Sequence, residues 1–194
     1  MIPVDNRQRR VAVRAADVRA VVAAAYAAER AGDPCVAVSV IDDAAIRAVN
    51  ARWLGHDWAT DAIAFSYADD PGPDGVRGEV LVSAQTARRE AQARDGDPRA
   101  ELLLYVAHGT LHLLGWDDDT PARRAAMNAR ARSILRGVLA SAPAARGATR
   151  AGVTRAARSA RSARSVRSSQ PGKPARPARS GRGRRDGGGR SRRR

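Results

Sequence analysis

The run from Leu102 to Leu114 (Leu-Leu-Leu-Tyr-Val-Ala-His-Gly-Thr-Leu-His-Leu-Leu) constrains the fold more than any other stretch. A helix apolar on nearly every side has to be enclosed by other elements rather than laid on a surface. It is predicted to span Pro98 to about Leu114 and to be the buried central helix. Two of the chain's three histidines, His108 and His112, interrupt it four residues apart. At about 3.6 residues per turn both imidazoles leave the same face and can share one ion. Gly115 stops the helix where a left-handed residue is expected, and the acidic cluster Asp117-Asp118-Asp119 can fold back to offer a carboxylate oxygen. Two nitrogens and one oxygen leave a coordination position open for water, as in catalytic zinc sites.

Around this helix the chain reads as strands and helices in alternation. Arg10 to Ala15 sets Val11 and Val13 against Arg10 and Arg14, the period of a half-buried strand. Asp17 is the expected cap of a first helix, whose stripe of Val18, Val21, Val22, Ala25 and Tyr26 runs on to Ala31-Gly32. Cys35 to Ile41, rich in β-branched residues, predicts a second strand, and Asp42 or Asp43 caps a helix from Ala44 to about Trp53. After a loop over Leu54 to Thr60 come a third strand, Asp61 to Tyr67, and a surface turn at Pro71-Gly72-Pro73-Asp74-Gly75. The fourth strand, Gly78 to Ser83, is close enough to the third for a hairpin-like pair. A helix from Ser83 to about Arg94 precedes the central one, and a last helix starts at Thr120-Pro121. These elements imply an α/β (α+β) fold: a four-stranded mixed sheet with packed helices and the histidine-bearing helix at its centre.

Composition confines that fold to residues 1–140. Of the chain's 35 Lys+Arg and 20 Asp+Glu, residues 141–194 hold 17 basic side chains and one acid, net +16, which leaves 18 basic and 19 acidic, net −1, for residues 1–140. Beyond Ala140 the large apolar side chains are Val153 and Val166, too few to offset chain entropy, so a disordered C-terminal tail is expected. Each tail arginine that neutralises a phosphate releases a counterion, which favours nonspecific, salt-sensitive RNA binding. The plainer reading is a drift of composition with incidental binding. Cys35 is the single cysteine, so an internal disulfide is excluded. A polar N-terminus, and no apolar run near the 18 or so residues of a membrane span, imply a soluble cytoplasmic protein with no membrane partner.

Two imidazoles one turn apart also occur as satisfied core histidines. The acidic cluster beyond Gly115 and the apolar surroundings favour a metal here. Zinc proteases carry glutamate directly after the first histidine as general base; this chain has Gly109, which argues against peptide hydrolysis by that route.

Beyond spacing, the stretch resembles the YbeY family of single-strand-specific endoribonucleases, the bacterial rRNA maturation factors. Their signature reads H-G-x-L-H-L-x-G-[YW]-D-H, and the chain supplies every element up to Asp117. The resemblance extends upstream through Asn50-x-x-Trp53, His56-Asp57, Thr60-Asp61-x-Ile63-x-Phe65 and Gly78-Glu79-Val80-x-Val82-Ser83, and so covers roughly residues 10–140.

That resemblance implies a metal-dependent endoribonuclease acting on single-stranded RNA in 16S rRNA 3′-end maturation and ribosome quality control. The partners it implies are rRNA and the small ribosomal subunit. The family's third histidine falls at Asp118, so the implied metal and catalytic triad is His108, His112 and Asp118 around one Zn2+, with Asp119 as the alternative ligand. Asp117 is expected to brace the turn or a ligand imidazole. Many members carry an arginine directly after the aromatic residue matched by Trp53, thought to engage the RNA phosphate. Leu54 stands there, which shifts the expected substrate contact to Arg52 or His56. His56 reads equally well as a loop histidine capping a turn with Asp57. Thr60 and Asp61 are expected to order the loop entering the third strand, and Glu79 to be a solvated strand residue. Two other functions fit the residues: a non-catalytic RNA- or ribosome-binding protein with a structural metal, and a metallohydrolase of another phosphoester.

Overall fold

A short strand β1 (Val4–Asn6) and a longer one, β2 (Val36–Ile41), pair in parallel, and helix α1 (Ala15–Glu29) supplies the crossover that such a pair needs. Helix α2 (Asp43–Leu54) leads to β3 (Ala62–Ser66) and β4 (Gly78–Ser83), which run antiparallel. Then follow α3 (Ala84–Gln92), α4 (Pro98–Leu113) and α5 (Pro121–Ser141). The computed structural model describes residues 2–67 and 75–141. Strand order is β1-β2-β4-β3 with β2 and β4 parallel, so the sheet is four-stranded and mixed, as expected. The turn expected at Pro71 to Gly75 lies outside the described residues except for Gly75, and so does the expected tail from residue 142.

Alternation along the strands builds two cores. Val36, Val38 and Val40 of β2 and Val80 and Val82 of β4 point to one face of the sheet. There they meet Val18, Val21 and Val22 of α1, Leu102, Leu103, Val106 and Leu111 of α4, and Met127, Ile134 and Leu135 of α5. Leu81, one residue out of phase, faces the other side with Ile41, Ile63 and Ile46 of α2. Helix α4 touches α1, α3, α5, β3 and β4, which makes it the centre of the fold. Its Gly109 is buried over β4, where an added Cβ would lie 2.6 Å from Val80 Cγ1. Position 109 therefore faces the sheet and has no room for the glutamate of a zinc protease.

The N-terminal strand corrects the pattern-based expectation. Residues 10–15 form no strand; β1 lies upstream at Val4–Asn6. The buried Gln8 side chain takes up the backbone at the start of this segment. Its Oε1 accepts from the Arg10 and Val11 amides (2.6 and 2.9 Å), and its Nε2 donates to Val11 C=O (2.9 Å). Val11 is buried all the same, so the alternation reports burial without strand pairing.

Asp17 is also displaced from its expected role. Arg14 is the N-cap of α1, and Asp17, three residues on, accepts from the Arg14 backbone N–H (3.3 Å). Arg14 and Arg99 also reach the Asp17 carboxylate, at 2.6 and 3.0 Å, the second tying α1 to α4. Hydrogen bonding from the Arg14 guanidinium, opposed by burial and reinforced by Arg99, holds the Asp17 pKa down at about 2. A depressed carboxylate stabilises the fold above its unfolded pKa of about 3.9 and loses that contribution as pH falls through its folded value. Asp17→Asn is therefore expected to lower stability at pH 7 by on the order of 1–2 kcal/mol, less than the full linkage value because Arg14 is solvent-screened. Urea melts of parent and variant should converge as the pH approaches 2.

Candidate metal centre

Helix α4 ends in a hydrogen-bonded reversal that brings the acidic turn back over its last residues. Gly115 N–H donates to His112 C=O and Trp116 N–H to Leu111 C=O, both at 3.0 Å, while Gly115 takes φ +88°. These two bonds form a Schellman cap, with glycine where a side chain would be strained. The reversal sets Trp116 C=O 3.1 Å from His112 Nδ1. With Nδ1 donating there, the lone pair of the His112 ring sits on Nε2.

His108 and His112 stand with ring centroids 4.9 Å apart. The Asp118 carboxylate approaches both, 3.8 Å from His108 Nε2 and 4.0 Å from His112 Nε2. One donor atom from each of the three residues lies within 4.8 Å of the others. The neighbouring acids are turned elsewhere. Asp117 Oδ1 accepts from the amides of Asp118 (2.7 Å) and Asp119 (3.3 Å), and Arg123 holds Asp119 at 3.1 Å. Burial first, and then the neighbouring His112, push the pKa of His108 below the ordinary histidine value, against opposing pulls from Asp61 and Asp118. Burial and His112 thus both favour the neutral ring of His108, which has a lone pair to donate.

The donor set suits a divalent transition ion, since imidazole and carboxylate are ordinary zinc ligands. A tetrahedral ion about 2.1 Å from each donor brings them to about 3.4 Å from one another, so separations of up to 4.8 Å need to close by at most roughly 1.4 Å. Side-chain exposures of 18% for His108, 34% for His112 and 36% for Asp118 leave one side open to solvent.

Other side chains complete the surroundings. The Arg124 guanidinium lies 3.9 Å from Asp118 Oδ2 and donates to Asp118 C=O at 2.9 Å. His108 also lines a polar groove of about 440 Å³ with Ala59, Asp61, Arg89, Arg94 and Arg132. Thr60 and the Ala62 amide both donate to Asp61 Oδ1 at 2.9 Å, which aligns the loop as it enters β3. Sequence reasoning missed Arg124 and Arg132, because nothing local marks an arginine of α5 as a neighbour of α4. Asp61 was visible in the Thr60-Asp61 motif, but its place beside His108 was not.

Arg52 and His56, the expected substrate contacts, engage tryptophans and form no bond to the triad. The Arg52 guanidinium sits 5.1 Å over the Trp53 ring, and His56 stacks on Trp58 with centroids 4.5 Å apart. Asp57 pairs with Arg47 at 2.7 Å, so it does not cap a turn with His56. Glu79 is half-buried rather than solvated, accepting from Ser39 at 3.0 Å and Tyr67 at 3.3 Å.

The chain has relatives among known proteins. The family described as Endoribonuclease YbeY matches residues 3–138. An Endoribonuclease YbeY of Rhodopirellula baltica is 45% identical over 106 residues, 54% of this chain and 54% of that protein, so the match spans about half the relative's length. One from Moorella thermoacetica is 39% identical over 129 residues, covering 62% of this chain and 83% of the relative. Among solved structures, a Thermotoga maritima protein determined in solution shares the fold, with a TM-score of 0.51 at 22% identity over 74% of this chain and 94% of that one.

Proposed function

Since the chain belongs to the Endoribonuclease YbeY family, we propose that it is a metal-dependent endoribonuclease that cuts single-stranded RNA in rRNA processing. The observation that carries the reading is the convergence of His108, His112 and Asp118 at the open end of α4. We assign these three as ligands of one zinc ion and as the catalytic set. Bound there, the ion supplies Lewis acidity to a phosphoryl oxygen and acidifies water.

The chain's own residues do the rest. Trp116 C=O fixes the His112 tautomer, and burial favours the neutral form of His108. Arg124, beside Asp118, is placed to hold a nonbridging phosphate oxygen, work that Leu54 cannot do. Arg52 and His56 contact the strand farther along, and the basic residues after 140 tether RNA without reading its sequence. The small ribosomal subunit is the proposed partner and the cytoplasm the proposed compartment; among the described residues no helix is long and apolar enough to cross a membrane. Neither a non-catalytic binding protein nor a hydrolase of another phosphoester is favoured, since the relatives are named as endoribonucleases.

Metal-loaded full-length protein is expected to cleave a defined single-stranded RNA and to spare the same sequence as a duplex. Absence of turnover with every divalent ion tried would reject the reading. For the third ligand, Asp118→Ala should lower the zinc stoichiometry measured after dialysis, whereas Asp119→Ala should retain it. The opposite pattern would move the ligand by one residue.

A further inference from the structure

The largest apolar exposure among the described residues gathers at the end of α2 and in the loop after it. Trp53 is 63% exposed, Leu54 49% and Trp58 57%. Two indoles this open to water are costly to maintain without an occupant, because each leaves a large apolar surface hydrated. The loop that carries them is nevertheless anchored. The buried Asn50 side chain donates to Trp58 C=O at 2.9 Å and the Asn50 backbone C=O accepts from the His56 amide at 3.2 Å, while Arg47 clamps Asp57 through two bonds of 2.7 and 2.8 Å. Each indole is also braced, Trp58 by the His56 ring and Trp53 edge-on by Phe65 with centroids 6.4 Å apart.

We propose that Trp53 and Trp58 form a preformed stacking platform for bases of single-stranded RNA leading to the metal centre, a proposal that rests on the endoribonuclease reading above. Chemistry favours this occupant over a protein. The indoles are accompanied by the Arg52 guanidinium, 5.1 Å over the Trp53 ring, which suits a polyanion, and exposed aromatic faces beside a cationic group are how single strands are held without sequence preference. Along the chain the loop leads to the site: Trp58 precedes Ala59, and Ala59 and Asp61 line the groove that also holds His108. A duplex keeps its bases stacked on one another, so the platform also favours single strands over paired ones.

The test uses the full-length protein and a 2′-O-methyl oligonucleotide of about twelve nucleotides, within the span that such binding surfaces cover. A second oligonucleotide of equal length and charge carries abasic positions at its centre. Phosphate contacts, those of the basic tail included, are common to both, so their difference in affinity reports base stacking. The parent should bind the base-bearing strand about 10-fold more tightly for each base stacked, with quenching of tryptophan fluorescence. Trp53→Ala/Trp58→Ala should lose that difference, and Trp58→Phe should keep most of it. Equal affinity of the parent for the two strands, or full discrimination by the double variant, would overturn the platform. Loss of ribosomal-subunit binding by the double variant, with its discrimination intact, would also overturn it and give the surface to a protein. Because the readout is binding without turnover, failure of the nuclease reading is scored separately by the cleavage assay.

Discussion

His112→Ala is expected to lower metal-dependent RNA cleavage by at least about 100-fold, more than the loss of an outer support of a metal ligand usually costs. The substitution removes one of the three proposed donors and leaves Asp118 facing His108 alone. It also leaves Trp116 C=O without its partner at 3.1 Å, so the turn that presents Asp118 loosens as well. The fold should survive, because the His112 side chain is about one-third exposed and the core of α4 is built from Leu102, Leu103, Val106 and Leu111. Metal analysis of the variant should show a fall in bound zinc, and its urea melt without metal should stay close to the parent's. A preparation free of contaminating nuclease that cleaves as fast as the parent would remove the metal mechanism altogether.

Gly109→Glu should be the most destabilising single change in α4. It drives a carboxylate into a dry interface where a Cβ alone would already meet Val80 at 2.6 Å. A buried, unpaired charge costs several kcal/mol even after its pKa adjusts. The variant should unfold or melt far below the parent and gain no peptidase activity. Gly109→Ala gives a graded version. Alanine contributes roughly 1 kcal/mol of helix propensity, but overpacking against a β-branched, fully buried neighbour costs about 1–3 kcal/mol. The clash is expected to win. Combining it with Val80→Ala should recover part of the loss, a coupling that a double-mutant cycle measures. Additive effects would show that the helix, and not the contact, sets the cost.

These two variants separate what position 109 does from what its neighbours do. The sequence alone shows that glycine stands where a zinc protease has glutamate. Only the packing shows why: residue 108 lines the groove with Asp61, while residue 109 looks down on β4. Gly78 repeats the device on the strand, since a Cβ there would fall 2.9 Å from Leu113 Cδ1. The two glycines let α4 and β4 approach closely.

Much of the architecture was legible beforehand because it is written in short-range patterns. The i, i+4 histidines, the Gly115 stop, the apolar stripes of α1 and α4, and the Val-rich strands depend on residues within a turn or a strand of one another. Reading failed where a side chain competed with the backbone. Gln8 took the Arg10 and Val11 amides and the Val11 carbonyl at the start of the expected strand, and the Asp17 side chain bonds back to the amide of Arg14, which holds the N-cap position.

By itself, then, the sequence determined a central apolar helix carrying two imidazoles on one face, a mixed sheet to bury it, and an acidic turn close behind. Tertiary structure decided which acid faces the imidazoles, because the helix cap aims Asp118 at them while Arg123 and the turn's own amides engage Asp119 and Asp117. It also decided that Glu79 is held by Ser39, 40 residues away, and that Trp53 and Trp58 stay open to water. Periodicity specifies which face of an element is apolar. What lies opposite that face depends on contacts between distant parts of the chain, which no local pattern encodes.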